Sequence, residues 1–383
     1  MTPLYFDNNA TTPLDPAVLD AMMPYLQGQY ANPSSGSSAA RAVHRAMEKA
    51  REEVAALVGC QPQEIIFTSG GTEANNAAIF SATEIFSERR HLISCPTEHD
   101  AVRQTLLWLE QTRGYEITWL KVNHHGQIDL KELAAAIRPG QTALLTLMWA
   151  NNETGVLHPV AEAAQLAAEN EVLFHTDAVQ MVGKMPVKLS STSVHSLALS
   201  GHKFHAPKGI GALCVNHRIP FRPWFHGGGQ ENTRRSGTEN VPGIIGLGAA
   251  ATLARQPPDP APSAVRDSFE ISLRQRFPEA TILGQDAPRT PNTTNVRFPG
   301  THAEGLMILL DRAGIAVSAG SACHTGALHP SHVLEALGLP TPAARECLRI
   351  SFSRSHTHAD AHALLNALTE TVLKMRRTLG MQP

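Results

Sequence analysis

The sequence has 383 residues, 42% of them hydrophobic and 17% charged, with 32 Lys and Arg against 34 Asp and Glu for a formal net charge of −2. That hydrophobic content excludes a disordered chain, and the near-neutral balance excludes nucleic acid or an anionic membrane as the principal partner. Five scattered cysteines (Cys60, Cys95, Cys214, Cys323 and Cys347), odd in number and without a C-x-x-C pair, exclude a disulfide scaffold and fit a reducing, cytoplasmic setting.

Residues 1–7 lack the basic and apolar regions of a signal peptide. The longest mostly apolar stretch, residues 241–254, is interrupted by glycine and falls short of the roughly 18 residues a membrane span needs. A soluble intracellular protein is therefore expected.

In chain order, Val43, Met47, Val54, Leu57 and Val58 have the spacing of an amphipathic helix. Residues 65–68 read as a buried strand, followed by Ser69-Gly70-Gly71-Thr72-Glu73-Ala74-Asn75-Asn76 and a helix. Two glycines at such a turn admit an anion to the helix N-terminus, and a plain cap by Ser69 or Thr72 accounts for the same residues. Further strands are expected at 92–94, 117–122, 143–148, 172–175, 197–199 and 212–215, with a helix marked by Val160, Ala164, Leu166 and Ala167. This alternation predicts a mostly parallel sheet covered by helices, with ligands beyond the carboxyl ends of the strands.

Two of those strand ends carry reactive residues. Strand 172–175 runs into Thr176-Asp177-Ala178-Val179-Gln180. An Asp there is costly unless it meets a cation; a protonated pyridine nitrogen, a metal ion or a helix cap each suits it. Strand 197–199 runs into Ser200-Gly201-His202-Lys203, which sets an amine among small polar residues, ready to form an imine with an aldehyde. A solvent-facing lysine is the plainer alternative. Residues 256–263, rich in proline, read as a linker or domain edge. Past it, strands at 281–283, 294–298 and 348–352 and helices at 303–312 and 359–379 predict a smaller α+β unit.

Taken together, Ser-Gly-His-Lys at 200–203, His-Thr-Asp-Ala-Val-Gln at 175–180, Asn-Asn-Glu-Thr-Gly at 151–155 and Arg-Ser-Gly-Thr-Glu-Asn at 235–240 resemble the class V aminotransferase family. Within it the chain is most similar to the cysteine desulfurases and selenocysteine lyases, and Asp7-Asn8-Asn9-Ala10-Thr11-Thr12-Pro13 and Asn32-Pro33-Ser34-Ser35 match as well. The resemblance spans nearly the whole chain. It implies an α/β fold-type-I pyridoxal-phosphate transferase with a mostly parallel seven-stranded sheet, normally a homodimer with active sites at the subunit interface. Residues 14–257 would form the cofactor-binding large domain, and 1–13 with 258–383 the small one.

Carried over by position, the resemblance makes Lys203 the lysine that holds pyridoxal 5'-phosphate as an imine and Asp177 the partner of its ring nitrogen. His99 would stack on the ring and shuttle protons, and Gln180 would bond the phenolic oxygen. Gly71, Thr72, Ser200 and His202 would hold the phosphate, with Thr238 supplied by the partner subunit. Asn152 and Arg349 would bind the substrate carboxylate, for which a guanidinium fork is well shaped. No metal is implied.

Cys323 lies in Ser318-Ala319-Gly320-Ser321-Ala322-Cys323-His324-Thr325-Gly326, a small-residue loop resembling the one whose cysteine takes the substrate sulfur as a persulfide. Such a loop can carry a nucleophile to a cofactor, and His324 or His329 can promote its thiolate. The other four cysteines lie in or beside apolar segments and read as inert. His195, Ala206 and Ser353 depart from the common pattern and read as drift. Asp100 resembles the acid found there in selenocysteine lyases, which makes it a candidate substrate contact, whereas the Cys323 to Pro330-Ser331 spacing resembles long-loop desulfurases. The expected reaction is conversion of L-cysteine to L-alanine with a persulfide on Cys323; the alternative is L-selenocysteine to L-alanine and selenide. A sulfur- or selenium-acceptor protein is a candidate further partner; helix 359–379, with Lys374, Arg376 and Arg377 near its end, reads either as a docking face for it or, more plainly, as a solvated helix closing the small domain with cations at its C-terminus.

Overall fold

The computed structural model describes residues 4–257, 260–320 and 331–380. A short strand β1 (Leu4–Tyr5) precedes helices α1 (Pro16–Gln27) and α2 (Ser38–Val58). Asp15 and Ser37 cap these helices by accepting from Ala17 N and Ala40 N, which satisfies amides that a helix start leaves unpaired. The chain then alternates: β2 (Ile65–Thr68), α3 (Gly71–Ile85), β3 (His91–Ser94), α4 (Asp100–Arg113), β4 (Glu116–Trp119) and α5 (Leu130–Ala136). It continues through β5 (Thr142–Thr146), α6 (Val160–Glu169), β6 (Leu173–Asp177), β7 (Ser196–Ser200) and β8 (Gly211–Val215).

These seven strands form one sheet in the order β2-β8-β7-β6-β5-β3-β4. Pairings from β3 to β7 are parallel, and β8 runs antiparallel to both β2 and β7. Strands β2, β3, β5, β6 and β8 are buried along their whole length, as strands between two helix layers are. In the β6–β7 register Asp177 lies opposite Ala198, so the two strands deliver Asp177 and Ser200 to one edge. His195 has a local duty here: its Nδ1 accepts from the Phe174 N–H at 2.7 Å.

The glycine-interrupted apolar stretch folds as α7 (Val241–Ala254), which packs across α1 and α2. Among the described residues no helix is long and apolar enough to cross a membrane. The expected linker at 256–263 is shorter than read, because α8 (Pro262–Arg276) begins inside it with proline at its first position, where the missing N–H costs nothing. Then follow β9 (Thr281–Ile282), β10 (Thr293–Arg297), α9 (Ala303–Arg312), β11 (Ile315–Ala316), α10 (His332–Ala336), α11 (Thr341–Ala344), β12 (Cys347–Ser351) and α12 (His358–Thr378).

Strands β12, β10 and β9 form an antiparallel sheet, and β1 pairs in parallel with β11. A second apolar core gathers Phe269, Phe298, Leu306, Phe352 and Leu368 around Phe6, separate from the core under the large sheet. The N-terminal segment thus belongs by packing to the C-terminal part of the chain.

Candidate active site

Beyond the carboxyl ends of β6 and β7 lies a cavity of about 270 Å3. Asp177, the last residue of β6, is buried in its wall. Its Oδ1 accepts from the Val179 N–H at 2.9 Å and its Oδ2 from the Asn75 amide at 2.7 Å. Asn75 Oδ1 meets His175 Nε2 at 2.9 Å, and His175 Nδ1 meets Ser196 Oγ at 2.9 Å. Since Asn75 Oδ1 can only accept, His175 carries its proton on Nε2. Burial pushes the His175 imidazole down to about 3, so this chain of hydrogen bonds is uncharged until it reaches the carboxylate. Sequence reading gave Asn75 and His175 no role; a histidine inside a buried strand, which must find partners, is the signal that marks them.

Lys203 ends the turn Gly201–Lys203 directly after β7, and its Nζ donates to the carbonyls of Asn9 at 2.7 Å and Ala10 at 2.8 Å. His99 caps α4: its Nδ1 accepts from the Ala101 N–H at 3.1 Å, which places the proton of the neutral ring on Nε2. Burial, opposed by the charge of Asp177, lowers the His99 pKa and favours that neutral form.

The opposite end of the cavity suits an anion. Helix α3 starts at Gly71 with no side-chain cap, so neither Ser69 nor Thr72 takes the capping role that the sequence allowed. The Ser69 N–H donates instead to Glu73 Oε2 at 2.8 Å. A Cβ on Gly71 would lie 2.7 Å from Val179 Cγ2, so only glycine lets the helix start approach the turn after Asp177 this closely. Ser200 and His202 line the same cavity, and His202 Nδ1 meets Thr11 Oγ1 at 3.1 Å. Burial first, then Lys203, Lys208 and Lys184, push the His202 imidazole down to about 4.

Arg349 projects from the middle of β12 and is 1% exposed. One guanidinium nitrogen lies 2.7 Å from Asp7 Oδ1, another donates to the Asn152 carbonyl at 3.1 Å, and Nε has no partner among the described residues. The carboxylate of Asp7 is a contact that sequence reading did not foresee. Beside the cavity, Glu98 is fully enclosed; burial first, then the charge of Asp177, push its carboxyl up to about 8. Its Oε1 accepts from the Met148 N–H at 2.6 Å.

The cavity therefore brings together Gly71, Thr72, His99, Asn152, Asp177, Gln180, Ser200, His202, Lys203 and Arg349. Two expected residues lie elsewhere. Asp100 is the first residue of α4, half-exposed and 3.5 Å from Gln104 Nε2; it does not line the cavity, though its charge acts on His99. Thr238 is exposed and lines a separate pocket with Arg235 and Glu239.

Cys323 lies outside the described residues, as do His324 and His329. The chain on either side of that segment converges: Ser331 Oγ donates to Glu153 Oε2 at 2.7 Å, and a Cβ on Gly320 would lie 3.6 Å from that same oxygen. Glu153 directly follows Asn152. Of the other cysteines, Cys95, Cys214 and Cys347 are buried and their thiols are pushed up, Cys347 to about 12, mainly by burial at Cys95 and Cys347 and by a hydrogen bond to Cys60 at Cys214. They are poor nucleophiles. Cys60, Glu64 and Cys214 bring ligand-type atoms within 4.8 Å of one another, but Glu64 is already occupied by Gln61 N, His217 N and His217 Nδ1.

Sheet order, strand-end lysine and strand-end aspartate together define a transferase of fold type I. Residues 4–364 match the family model described as aminotransferase class-V, and the chain belongs to that family. A cysteine desulfurase of Nostoc sp. (strain PCC 7120) is 46% identical over 379 residues, covering 98% of this chain and 94% of the relative. One from Gluconacetobacter diazotrophicus is 45% identical over 380 residues, covering 98% and 95%. Among solved structures, a NifS-like protein superposes with a TM-score of 0.87 at 35% identity, covering 96% of this chain and 98% of that one. A structure described as SspA in complex with cysteine superposes at 0.82 with 35% identity, covering 92% and 100%.

Proposed function

We infer that the protein is a cysteine desulfurase that converts L-cysteine to L-alanine and takes the sulfur as a persulfide on Cys323. The observation that carries the reading is one cavity in which Lys203, Asp177, His99 and Arg349 meet, with the segment bearing Cys323 leaving and returning at Glu153 beside it. The near full-length match to relatives named cysteine desulfurase supports it.

The residues present fit pyridoxal 5'-phosphate. The uncapped start of α3 at Gly71 and Thr72, with Ser200 and His202, offers donors to a phosphate; Asp177 offers a carboxylate to a ring N–H; Lys203 offers an amine to an aldehyde. When bound, this group supplies an aldehyde for the substrate amine and a ring that spreads carbanion charge.

The chain's own residues do the rest. The Arg349 guanidinium, with Asn152, orients the substrate carboxylate, Asp7 holding the fork in place from the other side. The Asn75–His175–Ser196 chain fixes Asp177 so that its carboxylate keeps a proton on the ring nitrogen. Lys203 Nζ would remove the α-proton of the substrate, and His99, whose neutral ring carries its proton on Nε2, would move protons within the cavity. Gln180 would offer an N–H to the phenolic oxygen. Cys323 Sγ, as a thiolate, attacks the substrate sulfur, so that an S–S bond forms as the Cβ–S bond breaks; the electron pair passes to the three-carbon remainder, which takes up protons and leaves as alanine.

The same reading makes residues 14–257 the large domain, and 1–13 with 258–383 the small one, in keeping with the two separate apolar cores. It also includes a cytoplasmic homodimer in which the exposed Thr238 serves the partner's phosphate site, and a sulfur-acceptor protein. A selenocysteine lyase is not favoured, since the relatives that match over nearly the full chain are named cysteine desulfurase.

The test incubates wild type and Cys323→Ala with L-cysteine and, separately, L-selenocysteine, measuring alanine, sulfide and selenide. Alanine from cysteine that is lost in Cys323→Ala is expected. Alanine from selenocysteine alone would reverse the choice of substrate, and none from either would sink the reading.

A further inference from the structure

Beneath the cavity, two lysines converge on one asparagine. Lys203 Nζ donates to the Asn9 carbonyl, and Lys184 Nζ donates to Asn9 Oδ1 at 2.9 Å. Lys184 Nζ also donates to Gln180 Oε1, four residues earlier in the turns that follow β6. Gln180 Nε2 donates to the Asn9 carbonyl at 2.9 Å, which closes a ring of hydrogen bonds through Lys184, Gln180 and Asn9. Backbone geometry places the lysine: Gly183 has φ +78°, and a Cβ there would lie 2.4 Å from Phe204 Cβ, the residue next to Lys203. Only glycine permits that approach.

We propose that Lys184 is a positioning residue for the desulfurase reaction, its Nζ holding the Gln180 amide with the N–H edge toward the cavity. The inference rests on the functional reading above and assigns the control of Gln180 within it. A primary amide has an accepting oxygen and two N–H donors. With the amide turned over, Oε1 would face the Asn9 carbonyl, acceptor against acceptor, and Lys184 Nζ would lose the acceptor for one of its N–H groups. Lys184 and the Asn9 carbonyl together therefore favour one orientation. In that orientation one N–H goes to Asn9 and the other is left for the cavity that Gln180 lines, where the phenolic oxygen of pyridoxal phosphate would accept it.

Donor geometry rather than charge is what Lys184 contributes. Its Nζ makes two hydrogen bonds, which a neutral amine satisfies with its two N–H groups. Burial pushes its pKa well below the usual lysine range, and the two charges that act on it, Lys203 and Arg349, are both cations that push the same way.

The test is a spectrophotometric pH titration of pyridoxal phosphate bound to the whole protein. An N–H donor at the phenolic oxygen favours its ionised form, so losing it raises the midpoint. Lys184→Met is expected to raise the midpoint by about one pH unit. In a Gln180→Leu background the same substitution is expected to add nothing, because both changes remove one interaction. A wild-type titration in Lys184→Met, or equal shifts in both backgrounds, overturns the inference while leaving the functional reading intact. Wild type that takes up no pyridoxal phosphate overturns that reading and this inference with it. If Lys184→Met does not fold, Lys184→Arg carries the test, since a guanidinium offers Gln180 N–H donors and no acceptor. A near wild-type midpoint supports positioning, and a full-unit rise overturns it.

Discussion

Replacing Gly71 by alanine isolates the close approach on which the anion end of the cavity depends. Alanine at a helix start is ordinarily favourable, by up to about 1 kcal/mol over glycine. Here the added methyl would stand 2.7 Å from Val179 Cγ2, and ordinary contact begins at 3.4 Å, so about 0.7 Å (3.4 less 2.7) must be found. Val179 has little room to give: its N–H is tied to Asp177 Oδ1 at 2.9 Å, and its β-branched side chain has few rotamers. Overpacking of this kind costs about 1–3 kcal/mol, and relief comes from moving the start of α3 away from the cavity. Pyridoxal phosphate should then dissociate about 10-fold more readily, equivalent to about 1.4 kcal/mol, measured by fluorescence titration of the apoprotein. Gly71→Ala/Val179→Ala should bind within about twofold of wild type, because the clashing methyls are gone. Wild-type affinity in Gly71→Ala, or a double variant as weak as the single, would refute the steric account.

Three other outcomes follow from the geometry. His158 and His175 are buried, with pKa values pushed down to about 4 and about 3, so their contribution is present above the unfolded-state value near 6.5 and is lost as pH falls below it. Urea denaturation at pH 5.5 should show about 1 kcal/mol less stability per histidine than at pH 7.5, and His175→Gln should show a smaller loss; an unchanged loss would contradict this. Arg51 and Glu231 form a buried pair at 2.7 Å, and Glu231 also accepts from the Phe67 N–H at 2.9 Å. Arg51→Met should destabilise by about 3–5 kcal/mol and Arg51→Met/Glu231→Leu by less, read from thermal unfolding; a double variant worse than the single would count against it. Asp100→Asn should leave kcat/KM for L-cysteine within about twofold, since the side chain does not line the cavity; a tenfold change, about 1.4 kcal/mol, would place Asp100 at the substrate.

How far the site was legible depended on the distance over which each residue acts. Asp177 and Lys203 could be found because a strand end is a local feature and reactive side chains there stand out against apolar runs. Asn75 and His175 could not, because the bond between them joins residues 100 positions apart, and nothing near either one names the other. The Asp7–Arg349 contact spans 342 positions and was missed for the same reason. Asp100 is next to His99 in sequence but does not line the cavity as His99 does, a difference set by the change from extended to helical backbone between them. The fold was read more readily than the site, since strand–helix alternation repeats often enough to predict the parallel sheet. The short pairing of β1 with β11, only two residues long, has no such repetition to reveal it.

That pairing sets an order of events during synthesis. Leu4 lies opposite Ile315 and Asp7 opposite Ser351, while Asn9 of the same segment contacts Lys203, Gln180 and Asn152. Residues 4–7 thus pair with strand positions more than 300 residues further along the chain. A nascent chain can build the large sheet as it emerges, yet the segment whose Asn9 and Ala10 carbonyls receive Lys203 Nζ is fastened on its other side only once Ser351 is available. Such long closures slow folding. Here they also postpone the moment at which the segment under the reactive lysine is held from both sides.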